Sequence, residues 1–468
     1  MVFSDLFFLY FFLPLCLLCY VLSKKLVYRN VVLIVFSLIF YAWGEPLGVF
    51  LLLLNALINY LCGLAIEKYR GAGGAKIALA VALVMDLGIL GVFKYSAFFV
   101  NNLNLILPVD LPVPKIALPI GISFYTFQAL SYIIDCYWGK VEVQKSYAKL
   151  LMYISLFPQL VAGPIVRYST IAEEIDSRSV SLEDVNVGVN RLIIGLAKKV
   201  ILANNLGTIV EAFFGKADIS GLSVLGTWYA VVVYALQIYF DFSGYSDMAI
   251  GLGRLFGFHF NENFNYPFIC RSVTEFWQRW HISLSTWFRD YVLYIPLFGR
   301  RRKYGGLFLV WFCTGLWHGA NWNYIIWGLY FGVFIALELL ITKKRLDHAP
   351  GALMHLYNKL VIIVGFGIFY FEDMGKLGDF FKNLIGANGN AFTDPIFASS
   401  FANNIFLVLA ALIFSLPVLR IVRQLAERSR RGMLIHSTAT VVCNVVLLLV
   451  CSIMLVNATN NPFLYFRW

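Results

Sequence analysis

The feature that most constrains this chain is a series of apolar blocks, each close to the length of a membrane-spanning helix. A bilayer core about 30 Å thick requires roughly 20 helical residues. Among the 468 residues, 60% are hydrophobic and 13% are charged, against about 25% charged in an ordinary soluble domain. We therefore predict an all-α, polytopic integral membrane helix bundle. The clearest blocks are Leu6–Leu22, Leu47–Ile66, Ile77–Phe93, Trp322–Ile341, Leu353–Phe371, Ile405–Leu419 and Thr440–Val456.

The first apolar block must be distinguished from a secretory signal. It opens with Asp5 rather than with a basic region, and no small-residue cleavage site follows it. We therefore expect this block to be a retained span.

The net charge of +11 raises the question of a nucleic-acid partner. The basic residues lie in short connections between apolar blocks, which is the pattern of the positive-inside rule. Nucleic acid is therefore not an expected partner, whereas the lipid bilayer is. The rule places four basic connections in the cytoplasm and both termini outside it. These connections contain Lys24, Lys25 and Arg29; Lys68, Arg70 and Lys76; Lys343–Arg345; and Arg420–Arg431.

The middle of the chain does not resolve into clear spans. Asn101–Pro119 contains several prolines, and Gln144–Leu222 mixes short apolar pieces with charges. We expect re-entrant or interfacial helices in both stretches. There is no internal repeat of fixed period, so we predict a single membrane domain over residues 1–468. A secondary transporter often has two related halves, and no such duplication is visible.

A first candidate site lies in Thr274–Tyr291, which combines tryptophan, arginine, histidine and serine. As one helix, this segment would place Glu275 four residues from Arg279, at pairing distance. Trp277, Trp280, Leu284 and Trp287 would share one aromatic and apolar face, with His281 beside it and Ser285 one turn further. The alternative interpretation is an interfacial helix with an aromatic belt and ordinary ion pairs.

A second candidate site is Gly315–Asn323, in which His318 follows the sequence Gly-Leu-Trp. Gly315 and Gly319 form a small-xxx-small pair suited to close helix contact. They also flank the imidazole with little bulk, which suggests access for a substrate. If the basic loop Arg300–Lys303 is cytoplasmic, the helical residues up to Trp317 climb about 16 Å, near half the bilayer core. Loop parity conflicts with this placement, because the next span must also end at cytoplasmic Lys343, so one piece would be re-entrant.

Other polar groups are weaker candidates. The runs Ser123–Gln128, Pro158–Pro164 with Arg167, and Asp241–Asp247 either line a channel or tie helices together. The aspartate run matches neither an EF-hand nor a zinc site, and the eight cysteines are scattered singly. We therefore predict no metal and interpret the cysteines as packing residues. The remaining histidines are interpreted as structural: His259, His348, His355 and His436.

These motifs together resemble the membrane-bound O-acyltransferase superfamily, in the bacterial branch that includes alginate and peptidoglycan O-acetyltransferases. The match also includes Asn263–Pro267 and Asn461–Phe466. The resemblance implies a bundle of about eleven spans with re-entrant helices, enclosing a tunnel. It implies that His318 is the essential catalytic histidine and His281 the second. Around them we expect the tunnel to be lined by Gln128, Arg279, Trp280, Ser285, Trp317, Asn321 and Asn323.

The resemblance also implies the reaction. An acyl group, which we expect to be acetyl, would pass from a cytoplasmic thioester donor to a hydroxyl of a cell-surface polysaccharide. The donor would be acetyl-CoA or a carrier-protein thioester, with no bound cofactor, and an extracellular or periplasmic acyltransferase partner would take part. A neutral imidazole, with an ordinary pKa near 6.5, can accept the hydroxyl proton.

Three alternatives stay open at this point. The teichoic-acid D-alanyl transferases share the histidine motifs, although the run after His318 is closer to the acetyl-transferring members. A transporter or flippase would use the intramembrane aspartates Asp86, Asp135, Asp241 and Asp247. A scaffold would only recruit an extracellular acyltransferase. The chain also has no room for the large extra loop of longer alginate enzymes, so the acceptor stays open.

Overall fold

A computed structural model describes residues 1–161, 163–295, 303–341, 349–456 and 463–464, and all of its regular structure is helical. The predicted all-α class is confirmed. The helices are α1 (Leu13–Val21), α2 (Leu26–Gly44), α3 (Gly48–Lys68), α4 (Gly73–Asn104), α5 (Ile122–Trp138), α6 (Tyr147–Ser155), α7 (Phe157–Leu160), α8 (Tyr168–Asp176), α9 (Leu182–Ala197), α10 (Asn204–Phe214), α11 (Val224–Leu255), α12 (Val273–Arg279), α13 (Ile282–Tyr291), α14 (Lys303–His318), α15 (Trp322–Ile341), α16 (Gly351–Tyr370), α17 (Met374–Leu384), α18 (Pro395–Phe414), α19 (Val418–Ala426) and α20 (Arg430–Val456). Two π-helical segments, Phe8–Phe12 and Lys198–Ala203, and the 3₁₀ turn Pro267–Ile269 complete the set.

Nine helices among the described residues are long and apolar enough to cross a membrane, so the protein is a multi-pass membrane protein. The segment Phe8–Val21 is apolar but shorter. The predicted count of about eleven spans and the enclosed tunnel stay predictions. The candidates are Leu26–Gly44, Gly48–Lys68, Gly73–Asn104, Leu182–Phe214, Val224–Leu255, Trp322–Ile341, Gly351–Tyr370, Pro395–Phe414 and Arg430–Val456.

The described residues group into two compact units. Unit 1 takes the described residues of Met1–Leu192, Tyr245–Glu262 and Ala458–Phe466, and unit 2 takes those of Ile193–Gly244 and Asn263–Asn457. Helices α9 and α11 therefore contribute residues to both units. The single membrane domain expected over residues 1–468 stays a prediction.

Unit 1 has an aromatic core near the start of the chain. The ring of Phe3 stacks on Tyr245 at 4.8 Å and lies edge-on to Phe157 at 6.4 Å. Tyr245 also contacts Phe463 at 4.8 Å. Aromatic pairs of this kind add about 0.5–1.5 kcal/mol beyond area burial. The rest of the run Asn461–Phe466, apart from Leu464, lies outside the described residues.

The middle of the chain, where re-entrant or interfacial helices were expected, contains both short and long helices. The stretch after Asn104 is not helical until Ile122, and α6, α7 and α8 have nine residues or fewer, too few to span. By contrast, Leu182–Phe214 is a continuous 33-residue candidate span, and the re-entrant or interfacial helices expected up to Leu222 stay a prediction. Its continuity is kept by the π-helical segment that joins α9 to α10.

Unit 2 contains a tightly packed helical hairpin, α14 and α15. A Cβ added at Gly315 would overlap the carbonyl oxygen of Tyr324, and one added at Gly319 would overlap the ring of Tyr324. The small-xxx-small pair therefore allows close helix contact, as predicted. The flanking basic loops, residues 300–302 and 343–345, and His348 lie outside the described residues.

The apolar block Ile405–Leu419 is not one span. Helix α18 ends at Phe414, and α19 begins at Val418 after a turn that contains Pro417. Proline lacks the backbone N–H that would continue the helical ladder. The block is therefore divided between a candidate span and a separate nine-residue helix.

Candidate functional site

His281 lies at an interruption between two short helices, α12 and α13. The backbone of His281 has φ 46°, in the left-handed region that a residue with a side chain rarely adopts. The segment Thr274–Tyr291 is therefore two helices rather than one. The four residues expected on one aromatic and apolar face are all buried: Trp277, Trp280, Leu284 and Trp287. A left-handed histidine costs free energy that its surroundings must offset.

The start of α12 is fixed by Glu338, which lies within the candidate span α15. Its carboxylate accepts hydrogen bonds from the backbone N–H of Val273 at 2.6 Å and of Thr274 at 2.8 Å. It also accepts the hydroxyl of Thr274 at 2.6 Å. Ser272 caps the same helix through the N–H of Glu275. A negative charge at a helix N-terminus is favourable, so Glu338 anchors the helix that leads to His281.

Asn263 determines the protonation pattern of His281. Its Oδ1 atom accepts the backbone N–H of Ser283 at 3.1 Å, so the atom facing this cluster must be the oxygen rather than the amide nitrogen. The same oxygen lies 3.2 Å from Nδ1 of His281. An oxygen acceptor requires Nδ1 to carry the hydrogen. In the neutral imidazole, the lone pair is therefore on Nε2.

The surroundings of His281 are aromatic and dry. The residue is 2% exposed; its ring lies edge-on to Phe242 at 4.6 Å and to Trp317 at 5.8 Å. Burial lowers the pKa of His281 to about 3, because the charged form loses its hydration. The imidazole therefore stays neutral at physiological pH.

His318 is the last residue of α14 and is 7% exposed. Its ring contacts the rings of Trp317 at 4.9 Å, Trp327 at 4.9 Å and Phe369 at 5.1 Å. The access for a substrate that the flanking glycines suggested stays a prediction. The glycines also serve the contact between α14 and α15.

Both histidines contact the same side chain, that of Trp317. The indole of Trp317, which is 4% exposed, contacts both His281 and His318. Residues 37 positions apart in the sequence thus border a single aromatic enclosure within unit 2. The structure brings these three predicted site residues together, although their roles stay predictions.

The other predicted residues of unit 2 have identifiable local partners. Arg279 pairs with Glu275 at 3.0 Å, as predicted from their spacing, and Trp280 stacks on Phe276 with ring centroids 5.4 Å apart. The Oδ1 atom of Asn321 accepts the N–H of Trp322 at 2.7 Å, at the start of α15.

Two more of these residues have backbone links. The side-chain amide of Asn323 donates to the carbonyl oxygens of Ile368 at 3.3 Å and Phe369 at 3.1 Å. It thereby ties α15 to the end of α16, which carries the ring of Phe369 that contacts His318. Ser285 is half-buried, and its N–H bonds the carbonyl oxygen of His281 at 3.1 Å.

Gln128 belongs to unit 1, on α5, and its side chain is fully buried. Its backbone carbonyl accepts the hydroxyls of Ser131 at 2.8 Å and Tyr153 at 3.3 Å. The hydroxyl of Tyr153 also donates to the carbonyl of Val166 at 3.0 Å. Gln128 is thus part of a polar cluster among the helices of unit 1, and its predicted tunnel-lining role stays a prediction.

Sequence reasoning missed the residues that hold the site. Asn263 was visible only as part of the run Asn263–Pro267, and Glu338 as one carboxylate in an apolar block. Lys199 pairs with Asp241 at 2.7 Å, and both side chains are almost fully buried. The sequence did show charged residues inside apolar segments, and such residues require a partner of opposite charge or a hydrogen-bond partner. Which residue is the partner depended on the fold.

The described residues contain no group of three metal-ligating side chains.

Comparisons with known proteins identify the family of the chain. The model of MBOAT, the membrane-bound O-acyltransferase family, matches residues 142–373, which include both histidines. The chain is 42% identical over 392 residues to a probable alginate O-acetylase of Azotobacter vinelandii, covering 80% of this chain and 76% of the relative. It is 31% identical over 427 residues to a peptidoglycan O-acetyltransferase of Helicobacter pylori, covering 83% and 80%.

The name of a third relative indicates transfer of a D-alanyl group rather than an acetyl group. The teichoic acid D-alanyltransferase of Bacillus subtilis is 32% identical over 273 residues, covering 54% of this chain and 68% of the relative. The two acetyl-transferring relatives match over a larger part of the chain. With its helical membrane bundle and its histidine site, the chain belongs to the membrane-bound O-acyltransferase family and is an O-acyltransferase.

Proposed function

We propose that the enzyme transfers an acetyl group from a thioester donor to a hydroxyl of a cell-surface polysaccharide, with His318 as the general base. The observation that carries the proposal is the contact of both His281 and His318 with one indole, that of Trp317. The names of two relatives, an alginate O-acetylase and a peptidoglycan O-acetyltransferase, support acetyl as the group and a polysaccharide as the acceptor.

In the proposed step His318 acts in its neutral form, which is the form of an imidazole that can accept a proton. The acceptor hydroxyl oxygen attacks the thioester carbonyl carbon as the imidazole of His318 takes the hydroxyl proton. The tetrahedral intermediate then collapses, the carbon–sulfur bond breaks, and the proton passes from the imidazolium to the departing thiolate. Atoms and charge balance without a metal or redox cofactor. Positioned proton transfer of this kind is worth about 10²–10⁴ in rate.

His281 has a supporting part in this proposal. Its Nδ1–H is directed at Asn263, so the lone pair of its neutral ring is on Nε2. A lone pair can accept a hydrogen bond from the acceptor hydroxyl or from a substrate group, and thereby orient it. Because burial keeps this imidazole uncharged, it adds no positive charge that would disfavour protonation of His318.

The direction of transfer is also a proposal. The donor would be acetyl-CoA or a carrier-protein thioester on the cytoplasmic side, and the acceptor would lie on the other side, reached directly or through an extracytoplasmic acyltransferase partner. Support comes from the basic connections Lys24–Arg29 and Lys68–Lys76, which the positive-inside rule assigns to the cytoplasm.

The test is a comparison of His318→Ala with His355→Ala in cells and in purified form. His355 is exposed on α16 and serves as the matched control. We expect His318→Ala to lose surface O-acetyl groups and to lower acceptor-dependent consumption of labelled acetyl-CoA by about 10²-fold or more. His355→Ala should retain both. Wild-type acetylation by an inserted, folded His318→Ala protein would rule out His318 as the base.

The D-alanyl alternative is favoured by one observation, the similarity to the teichoic acid D-alanyltransferase. A competition between acetyl-CoA and a D-alanyl carrier-protein thioester decides between the two groups. Transfer of D-alanine alone would overturn the proposed donor and leave the role of His318 intact.

The transporter alternative rested on four intramembrane aspartates, and each has a protein partner. Asp86 accepts from Asn55 at 2.8 Å and from Asn59, and Asp135 lies 3.9 Å from Lys140. Asp241 pairs with Lys199 at 2.7 Å, and Asp247 with Arg191 at 2.6 Å. These contacts give the carboxylates a structural explanation. Substrate flux into liposomes without an acyl donor would restore the alternative.

A further inference from the structure

Helix α19, Val418–Ala426, is a short amphipathic helix between two candidate spans, α18 and α20. At 100° per residue, its apolar side chains fall within an arc of about 160°. These are Val418, Leu419, Ile421, Val422, Leu425 and Ala426. Arg420, Arg423 and Gln424 occupy the opposite side. Apolar and polar side chains are thus almost completely separated onto two faces over about two and a half turns.

The apolar face of α19 is left about half exposed by the described part of the protein. Leu419, Ile421, Val422 and Leu425 are each between 48% and 53% exposed, and no residue of the helix is buried. A contiguous exposed apolar face marks an interaction site. The short connections to α18 and α20 keep the helix beside the ends of two candidate spans. The surface available at that position is the boundary between acyl chains and headgroups.

The charge of the helix and of the turn after it is strongly positive. Between Arg420 and Arg431 there are five arginines and one glutamate, which gives a net charge of +4. The glutamate, Glu427, pairs with Arg423 at 2.9 Å. Arg428, Arg430 and Arg431 follow directly. A basic polar face opposite an apolar face is the signature of a helix that lies in the bilayer interface and attracts anionic lipids.

We propose that α19 is an interfacial helix that docks on the bilayer, with its apolar face among acyl chains and its arginines bound to anionic phospholipid headgroups. The cytoplasmic basic loop expected over Arg420–Arg431 is thus in large part a lipid-binding element. The occupant is a lipid surface rather than a protein or nucleic acid, because the helix is joined at both ends to candidate spans. The proposal is independent of the acyl-transfer reaction.

The test uses the full-length protein in nanodiscs of phosphatidylcholine with a minor fraction of phosphatidylglycerol. A photoreactive benzoylphenylalanine is placed at Leu425, on the apolar face, or at Gln424, its neighbour on the polar face. We expect lipid adducts mainly from position 425, with phosphatidylglycerol enriched over its mole fraction. Size exclusion and acyl transfer verify that each variant is folded.

The arginines are tested by adding Arg420→Gln and Arg423→Gln to the probe at Leu425. Because each basic residue near an anionic surface contributes a factor of about five, the enrichment of phosphatidylglycerol should fall by about fivefold or more. The matched control, Lys24→Gln with Lys25→Gln, removes the same charge elsewhere and should leave the enrichment unchanged. Adducts to protein at position 425, equal lipid adducts at both positions, or enrichment unaffected by loss of the arginines would overturn the proposal.

Discussion

Oδ1 of Asn263 lies 3.2 Å from Nδ1 of His281, and the same oxygen accepts the backbone N–H of Ser283 at 3.1 Å. One amide thus orients the imidazole and holds the first turn of α13. This arrangement explains how a buried histidine keeps a left-handed backbone at a helix interruption. It also assigns the lone pair of the neutral ring to Nε2.

Replacement of Asn263 tests this orientation. Asn263→Ala removes the acceptor of Nδ1–H, so the ring can change tautomer and rotate. We expect kcat to fall about 10-fold to 100-fold, less than the loss of the acid–base group itself would cost, with a smaller change in KM. The control is Ser283→Ala, which removes only the hydroxyl that donates to the same oxygen at 2.9 Å. Equal kcat in both variants and the wild type would show that Asn263 is purely structural.

The pH dependence of stability should report the burial of His281. Burial lowers the pKa of this imidazole to about 3, whereas the unfolded chain has a value near 6.5. Between these values the unfolded state binds the proton and the folded state does not. Stability therefore falls as the pH decreases from about 6.5 toward 3, with a slope of up to about 1.4 kcal/mol per pH unit.

His281→Gln removes this titration. Thermal unfolding in detergent at pH 7 and at pH 5 should show a larger loss of stability for the wild type than for the variant. An identical loss in the two proteins would mean that His281 is accessible to protons in the folded state.

The ion pair between Lys199 and Asp241 should be strongly coupled. Both side chains are almost fully buried, and their charged atoms are 2.7 Å apart. Lys199→Met alone leaves a buried carboxylate without this cation, which typically costs about 3–5 kcal/mol. The double variant Lys199→Met with Asp241→Leu should be clearly more stable than either single variant.

An exposed pair provides the matched comparison for that cycle. Lys382 and Asp379 are 3.7 Å apart on α17, and the lysine side chain is 57% exposed. Exposed pairs contribute about 0–1 kcal/mol, so the same double-mutant cycle there should show little coupling. Coupling of similar size at both pairs would contradict the importance of burial.

The close approach of α14 and α15 depends on Gly315. A Cβ at this position would overlap the carbonyl oxygen of Tyr324, and rigid backbone cannot move away as a flexible side chain can. We expect Gly315→Ala to destabilise the protein by about 1–3 kcal/mol and to impair transfer, because His318 lies three residues further along the same helix.

Gly88 offers the control for that substitution. It lies within the candidate span α4, where an added Cβ would meet no atom within 4 Å. Gly88→Ala should be neutral or stabilising by up to about 1 kcal/mol, since alanine is the better helix former. A similar loss of thermal stability in both variants would point to a general effect of replacing glycine.

The extent to which sequence could predict this protein differs between levels of structure. The apolar blocks predicted the helical membrane bundle, because burial in lipid depends on the local run of side chains. The motif around Gly315 also predicted close helix contact. The break at His281 within Thr274–Tyr291 could not be predicted, since distant groups stabilise it. Local periodicity carries no information about such partners.

The sequence by itself determined that the chain is a multi-pass helical membrane protein with two histidine motifs of an acyltransferase. Only the tertiary structure decided that His281 and His318 share the indole of Trp317, and which groups hold them. The hydrogen bond from His281 to Asn263 joins residues 18 apart, and that from Val273 to Glu338 joins residues 65 apart. Apolar burial is specified locally by residue type, whereas buried polar groups require particular partners that only the completed fold brings within hydrogen-bond distance.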